Sequence, residues 1–513
     1  MKKIVFSSTL VLTFLVLLFS CGKDDSPTEA GPGGPNITSF SPTSGTVGTS
    51  IFITGQNFST TASANTVKIG NTTATVTSAS ATEIFITVPE GATTGAISIT
   101  VDGQTDTAGT FTVTEESGNA GITLNKSSLD LFTLDSETLI ATTTGGANAN
   151  DIVWSSEDES VAIVDDNGKI TAVGKGKTLI NAYISDQVST NSLITVSPSV
   201  FAVGYEVVNG TSIAKMWKNG VASNLTDGTD FGAASSIFID GSDIYACGII
   251  IKGLPAAVAW KNGEILYELT DGSKYANASS IHVYNDDVYV IGNEELGDDN
   301  ISNGTIWKNG VTYATLTDGL NANERSIGED IFVNETGISS AGYEESEQHE
   351  NGTPKSWENT TQIDLTNEAY HGRGYSVHAV GSEVYVAGYE KNNEGTSVAK
   401  YWINQEVISL SNGLQNAEAQ SIFVDGENIY VAGSYFDDQE NPVQAVVWKN
   451  GSATEYGVGS AASSVYVYDN DVYVGGAETE GIVRAIVWKN GEALELELTE
   501  GASDSAVLSI FVR

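Results

Sequence analysis

One short pattern, a tryptophan followed two residues later by asparagine, occurs seven times in the last three-fifths of this 513-residue chain and limits what that part can fold into. The tryptophans are Trp217, Trp260, Trp307, Trp357, Trp402, Trp448 and Trp488, 40 to 50 residues apart, most often within Trp-Lys-Asn-Gly. A period of that size suits the blades of a β-propeller. Upstream of each tryptophan except the first lies a pair of apolar runs, as in Ile422-Phe423-Val424 and Ile429-Tyr430-Val431-Ala432-Gly433, with 11 residues from the first Ile to the Gly. The same 11 recur at 237 to 248, 281 to 292, 331 to 342, 377 to 388 and 465 to 476. The first copy has no leading run and begins at Phe201-Ala202-Val203-Gly204, whereas the chain ends on a leading run without a partner, Ile510-Phe511-Val512. The expectation is an all-β chain whose residues 200–513 form a seven-bladed β-propeller, closed by pairing its N- and C-terminal strands.

Runs such as Val384-Tyr385-Val386-Ala387 are apolar on both strand faces. A sandwich strand with one wet face alternates apolar with polar, whereas a propeller sheet is packed between two neighbours and needs apolar residues on both faces. Within each copy the Ile-Phe-Val run is predicted innermost and the Val-Tyr-Val-Ala-Gly run second. The run ending in Trp is third, and the run ending in Leu-Thr-Asp-Gly is outermost. The Asn-Gly after Trp-Lys supplies the positive φ of a tight hairpin.

Ahead of the repeats, alternating β-branched runs such as Ile51-Phe52-Ile53-Thr54, Val67-Lys68-Ile69 and Ile97-Ser98-Ile99-Thr100 predict a small β-sandwich. Phe40-Ser41-Pro42-Thr43-Ser44-Gly45, Gly48, Ile53-Thr54-Gly55, Asn57-Phe58 and Val88-Pro89 closely resemble an IPT/TIG domain, placed at 36–114. The run Trp154-Ser155-Ser156-Glu157, with Val161-Ala162, Asn167-Gly168-Lys169-Ile170 and Val173-Gly174-Lys175-Gly176, resembles the group 2 bacterial immunoglobulin-like domain, placed at 121–197. Here Trp154 is expected as a core plug and Asp166-Asn167-Gly168 as a hairpin turn. Both resemblances imply immunoglobulin-like sandwiches serving as spacers or in adhesion.

The chain opens with Lys2 and Lys3 and an apolar stretch from Ile4 to Phe19, shorter than the roughly 20 residues of a membrane-spanning helix. Residues 1–20 therefore read as a signal peptide. Leu18-Phe19-Ser20-Cys21 resembles a bacterial lipobox, which implies lipidation of Cys21, and Lys23-Asp24-Asp25 looks like an export signal to the outer face of the outer membrane. Residues 21–35, rich in Gly, Pro and charge, are a flexible tether. The other cysteine, Cys247, occupies an alanine place in the repeat and is expected as a small core residue. A net charge of −42 repels phosphate backbones, so nucleic acid is excluded as a partner.

The seven tryptophans recur too regularly to be sugar platforms and are expected as wedges between sheets. Function is expected where copies differ, on the rim formed by the loops from strand four to the next copy and from strand two to strand three. The largest departure is Tyr370-His371-Gly372-Arg373-Gly374-Tyr375. With Arg325, Tyr275, Phe231 and His349 it predicts a rim pocket that stacks on a sugar and pairs with a carboxylate or sulfate through arginine. His282 and His378 stand where other copies have Phe or Tyr and are expected in the core. No cofactor is expected; acidic loops such as Asp437-Asp438 with Glu440 leave calcium open, without the Asp-x-Asp-x-Asp-Gly loop that would specify it. No catalytic constellation is singled out among the 65 acidic residues. The expected function is a lipid-anchored outer-membrane protein facing the exterior, in which the propeller recognises an extracellular glycan or a surface protein. The alternatives are a surface-tethered polysaccharide lyase or glycoside hydrolase, and a structural partner in an outer-membrane assembly.

Overall fold

The computed structural model describes residues 33–114, 120–145, 147–296, 301–316, 325–346, 349–366, 371–479 and 481–513. The leader, Cys21, most of the tether, the 115–119 linker and Tyr370 lie outside the described residues. The chain is all-β and divides into two compact units, one comprising residues up to 127 with 140–154 and 181–192, the other 128–139, 155–180 and 193–513.

In the first unit eight strands are hydrogen-bonded in the order 36–41, 50–56, 83–87, 72–79, 66–69, 95–101, 104–113, 44–45. Alternation puts every second residue inside: Ile51 and Ile53, Val67 and Ile69, Ile84 and Ile86, Ile97 and Ile99 form one core with Phe58 and Phe111. Trp154 is only half-buried, contrary to the expected core plug, and Val153 beside it is exposed.

In the second unit Ser128–Phe132 runs parallel to Leu193–Ser197, and the turn at Asp165–Gly168 joins Ala162–Val164 to Lys169–Ala172. Asp165 Oδ1 accepts the Asn167 and Lys169 amides there, and Gly168 takes φ +78°.

Seven four-stranded antiparallel sheets follow. Sheet I combines Val221–Asn224, Thr211–Lys218 and Val200–Val208 with the last strand of the chain, Ala502–Val512, pairing Val200 with Val512 and Phe201 with Phe511. Sheets II to VII begin at Gly232–Asp240, Ala276–Tyr284, Arg325–Asn334, Gly372–Val380, Asn416–Asp425 and Ser460–Tyr468, and in each the following three strands add in sequence order. The first strands of consecutive sheets lie against one another, and Ala502–Val512 lies against both Ser460–Tyr468 and Gly232–Asp240. In sheets I to III the fourth strands, Val221–Asn224, Glu264–Glu268 and Val311–Thr315, end before the Leu of Leu-Thr-Asp-Gly.

Two circuits of side chains run through the first strands of sheets II to VII and the Ala502–Val512 strand of sheet I. Phe238, His282, Phe332, His378, Phe423, Tyr466 and Phe511 contact one another in turn at centroid distances of 4.4 to 5.4 Å, and Phe511 returns to Phe238. Burial holds both histidines neutral, at about 3 for His282 and about 4 for His378. The second circuit is of serines: Ser236, Ser376, Ser421, Ser464 and Ser509 each accept a backbone N–H from the next sheet, from Ile281, Ile422, Val465, Ile510 and Ile237, at 3.1 to 3.3 Å. In sheet IV Asp330 replaces the serine and accepts from Ser280, Ser376 and the Val377 amide at 2.6 to 2.9 Å.

The seven tryptophans are 0 to 3% exposed. Trp260 packs with Phe201, Val203 and Ala214 of the preceding sheet, and Trp307 with Tyr245 and Ala257, which is the expected wedge arrangement. The asparagine of each motif has φ between 49° and 57°, and its Oδ1 accepts the amide that opens the second strand at 2.8 to 3.2 Å. Sheets IV and V have Thr360 and Gln405 in place of the glycine without positive φ, so there the asparagine alone carries the left-handed residue.

Candidate functional site

The first strands of sheets II to VII and the Ala502–Val512 strand of sheet I are bulged at an equivalent place, leaving a residue unpaired: Ser235, Ser279, Glu329, Tyr375, Gln420, Ser463 and Leu508 in turn, with a second bulge at Ser503 in the last of these. A bulge re-aims its side chain and frees it from the ladder. Two residues earlier stand Ala233, Asn277, Ile327, Arg373, Glu418, Ala461 and Ala506. Sheets I, II and VII are therefore small or apolar at both positions except for single serines, whereas sheets III to VI bring Asn277, Glu329, Arg373, Tyr375, Glu418 and Gln420 to one end of four consecutive strands.

Those residues interlock across sheets. The Arg373 guanidinium lies 4.5 Å from the centroid of the Tyr343 ring of sheet IV and 3.8 Å from Glu345 Oε1. Glu345 also accepts Arg325 Nε at 2.6 Å, so two arginines from adjacent sheets share one carboxylate. The Tyr375 hydroxyl donates to Glu418 Oε2 of sheet VI at 3.1 Å, and Gln420 Nε2 donates to the same oxygen at 3.1 Å. Tyr375 and Tyr389 pack with centroids 5.9 Å apart. Arg373, Tyr375, Tyr389, Glu418 and Phe436 line a cavity of about 380 Å³, bordered by Lys391, Asp438 and Glu440.

Burial sets the electrostatics. It pushes Tyr343 and Tyr389 up to about 12 and Tyr375 well above the ordinary phenol value, each reinforced by a neighbouring glutamate, so all three remain neutral donors. Burial also raises Glu418, against the pull of the Tyr375 hydroxyl and Arg373, and lifts Glu329 to about 7. Arg373 Nε is buried without a hydrogen-bond partner among the described residues.

Of the residues singled out from sequence, Arg373 and Tyr375 line this cavity and Arg325 reaches it through Glu345. Phe231, Tyr275, Arg325 and His371 hold one equivalent position in sheets II to V. The carbonyls of Phe231, Tyr275 and His371 accept the amides of Ile251, Glu295 and Lys391 at 2.7 to 2.9 Å, and Arg325 pairs across from Glu345. Phe231 and Tyr275 are not in the cavity. They project from the same rim, 46% and 41% exposed. The side chain of His349 lies outside those described. His282 and His378 sit in the aromatic circuit, as expected. The anticipated pairing of Arg373 with a ligand carboxylate or sulfate is opposed by the acids around it: Glu345 stands 3.8 Å away, and the cavity adds Glu418, Asp438 and Glu440. Sequence reasoning missed Tyr343, Tyr389, Glu329, Glu418 and Gln420, which lie inside strands and not in the loops; comparing copies position by position finds them.

Residues 35–113 match the IPT/TIG domain family and residues 134–195 the bacterial Ig-like domain (group 2) family. An uncharacterized protein of Clostridium acetobutylicum is 40% identical over 77 residues, 15% of this chain and 8% of that protein's length. Solved structures similar to the chain include an auxiliary nutrient binding protein from Bacteroides thetaiotaomicron, at 12% identity and a TM-score of 0.30 over 89% of this chain and 98% of that one. A second, from Bacteroides ovatus, aligns at 13% identity and a TM-score of 0.27 over 86% and 95%. The SapL1 lectin, solved with alpha methyl fucoside, aligns at 13% identity and a TM-score of 0.31 over 51% and 96%. Likeness of this degree carries no function over to the chain.

Proposed function

We propose that this is a lipid-anchored protein of the outer bacterial surface, in which the seven sheets are the blades of a closed propeller whose rim binds a neutral extracellular glycan. The propeller reading is supported by the pairing of Val200–Val208 with Ala502–Val512 and by the two unbroken circuits of side chains. The lipobox resemblance at Cys21 supports the anchor, and external protease treatment of intact cells tests the outward placement: complete protection would contradict it.

The observation that carries the binding reading is the cavity at Arg373. It joins the faces of Tyr375, Tyr389 and Phe436 to fixed carboxylate and guanidinium groups. Sugar rings combine an apolar C–H face, which packs on aromatic rings, with hydroxyls that both donate and accept, which is the mixture this cavity offers. Its acids and the charge of −42 disfavour an anionic ligand. Binding of the full chain to a panel of immobilised neutral polysaccharides tests this, with Arg373→Ala and Tyr389→Ala as site variants. Unchanged binding in both would remove the cavity from consideration.

A second reading, a surface-tethered polysaccharide hydrolase, is favoured by one observation. Glu329 is held near 7 and Glu418 is also raised, each within the electrostatic reach of Arg373, and glycoside hydrolysis employs a carboxyl kept protonated near neutral pH together with a second carboxylate. A product assay on any polysaccharide that binds, with Glu329→Gln as the control, decides between the two.

A further inference from the structure

Binding at the Arg373 cavity leaves unexplained why Phe231 and Tyr275 are exposed at equivalent positions of two adjacent sheets. Neither ring serves the core: among the buried and partly buried residues of the aromatic and tryptophan clusters neither takes part. Both backbones are fixed, since each carbonyl accepts a strand amide at 2.9 Å and the Tyr275 amide also donates to Glu295 Oε2 at 3.3 Å. The equivalent residue is Arg325 in sheet IV and His371 in sheet V, whereas sheets VI, VII and I have Asn416, Gly459 and Asp504. Rings and flat cationic or imidazole groups thus occupy this position on four consecutive sheets and on none of the other three.

The row is continuous with the cavity. Arg325 and Arg373 meet on Glu345, and Arg373 borders the cavity. Packed sheets lie about 10 Å apart, so four consecutive equivalents follow an arc of roughly 30 Å, longer than a single sugar ring.

Resting on the glycan-binding reading, we infer that the ligand is an extended neutral oligosaccharide, with one end in the cavity at Arg373 and the chain running along the rim over Arg325, Tyr275 and Phe231. Flanking acids Glu295, Glu345 and Glu418 repel a polyanionic chain along this path, while the two exposed rings offer flat apolar platforms separated by about one sheet spacing.

The test is a length series, from two to eight units, of neutral oligosaccharides cut from glucan, mannan, xylan and galactan, titrated against the full chain and against a Phe231→Ala/Tyr275→Ala variant by calorimetry. The expected result is affinity that rises at least tenfold from two to six units and then levels, with that rise reduced to less than threefold in the variant. Thermal unfolding of the variant at the parent temperature shows that the loss is local, both side chains being solvent-exposed. Affinity independent of length, but abolished by Arg373→Ala, would overturn the extended path and leave the cavity reading standing. A length dependence that survives in the variant would equally overturn the path. Absence of binding to every series would overturn both.

Discussion

Sheet I contains both ends of the repeat region, and a single buried ion pair lies within it. Glu206 is 0% exposed, Lys215 is 4% exposed, and Lys215 Nζ stands 2.7 Å from Glu206 Oε2. Thr499 completes the arrangement: its amide donates to Glu206 Oε1 at 3.0 Å and its hydroxyl to Oε2 at 2.5 Å, while Lys215 Nζ donates to that hydroxyl at 2.9 Å. Burial alone would raise the Glu206 carboxyl, but the bonds from Lys215 and Thr499 outweigh it and hold the group below the ordinary value. Replacing Lys215 by Met keeps the aliphatic volume and removes the charge, leaving a carboxylate in the interior with only the threonine donors. Breaking a buried pair in this way costs about 3–5 kcal/mol. The double variant Glu206→Gln/Lys215→Met restores neutrality and keeps an oxygen for Thr499, so most of that loss is recovered. The pH dependence reverses as well. In the parent chain the folded carboxyl titrates below its unfolded value of 4.5, so its stabilising contribution is present above that value and is lost as pH falls through the folded one. In Lys215→Met burial acts unopposed by the ammonium, the folded carboxyl titrates higher, and stability rises as pH falls. Urea unfolding between pH 4 and 8, followed by tryptophan fluorescence, measures both effects. A loss below about 1 kcal/mol in the single variant, or a double variant no more stable than the single, would refute the reasoning.

Three further outcomes are expected. Glu329, held at about 7 against 4.5 when unfolded, contributes stability that is full below 4.5 and is lost as pH rises to about 7; Glu329→Gln should flatten the stability profile across that window in the same urea titration. Asn450→Gly keeps the left-handed turn but loses the 2.8 Å bond from the Ile429 amide, at a cost of about 1 kcal/mol, and Asn450→Val adds a further ~1–2 kcal/mol for a branched side chain at φ +49°, both read from denaturation midpoints. Cys247 is fully buried and burial pushes its thiol well above the ordinary range, so labelling by a thiol reagent should proceed only at the rate of unfolding; rapid labelling of the folded chain would contradict its core placement.

Much of this architecture is legible in residue order because a repeat multiplies weak local signals. One Ile-Phe-Val run is ambiguous, but seven, with the first missing its partner and the last left over, specify which strands pair. What escaped was set by contacts that no local pattern encodes. Glu329 and Gln420 stand out of the ladder because of bulges, and a bulge is visible only once the register of two strands is known. Tyr343 and Tyr389 read as ordinary strand residues, since the arginine over Tyr343 comes from the next sheet. Trp154 was misjudged for the opposite reason: its type predicts a core, but its strand leaves it half-buried. The five Asn-Gly turns have the expected positive φ at both residues, whereas at Asn359 and Asn404, where no glycine follows, asparagine alone carries it.

Packing and the proposed recognition share a single strand. Between Arg373 and His378, two residues face the cavity, Ser376 belongs to the hydrogen-bonded circuit and His378 to the aromatic one. The circuits need the same geometry in every sheet, and their positions vary little: serine in six sheets with Asp330 in the seventh, and an aromatic or imidazole ring in all seven. The positions at the bulge and two before it take no part in either circuit, so the side chain there can change without disturbing how the sheets join. That freedom is used in one direction only. Four consecutive sheets hold large polar or aromatic groups at one or both of these positions and three hold small or apolar ones, which makes a nearly symmetric arrangement of strands unequal on its two sides. On the binding reading proposed above, a ligand is recognised where the seven copies disagree, and the agreement among them is what holds the disagreeing side chains in place.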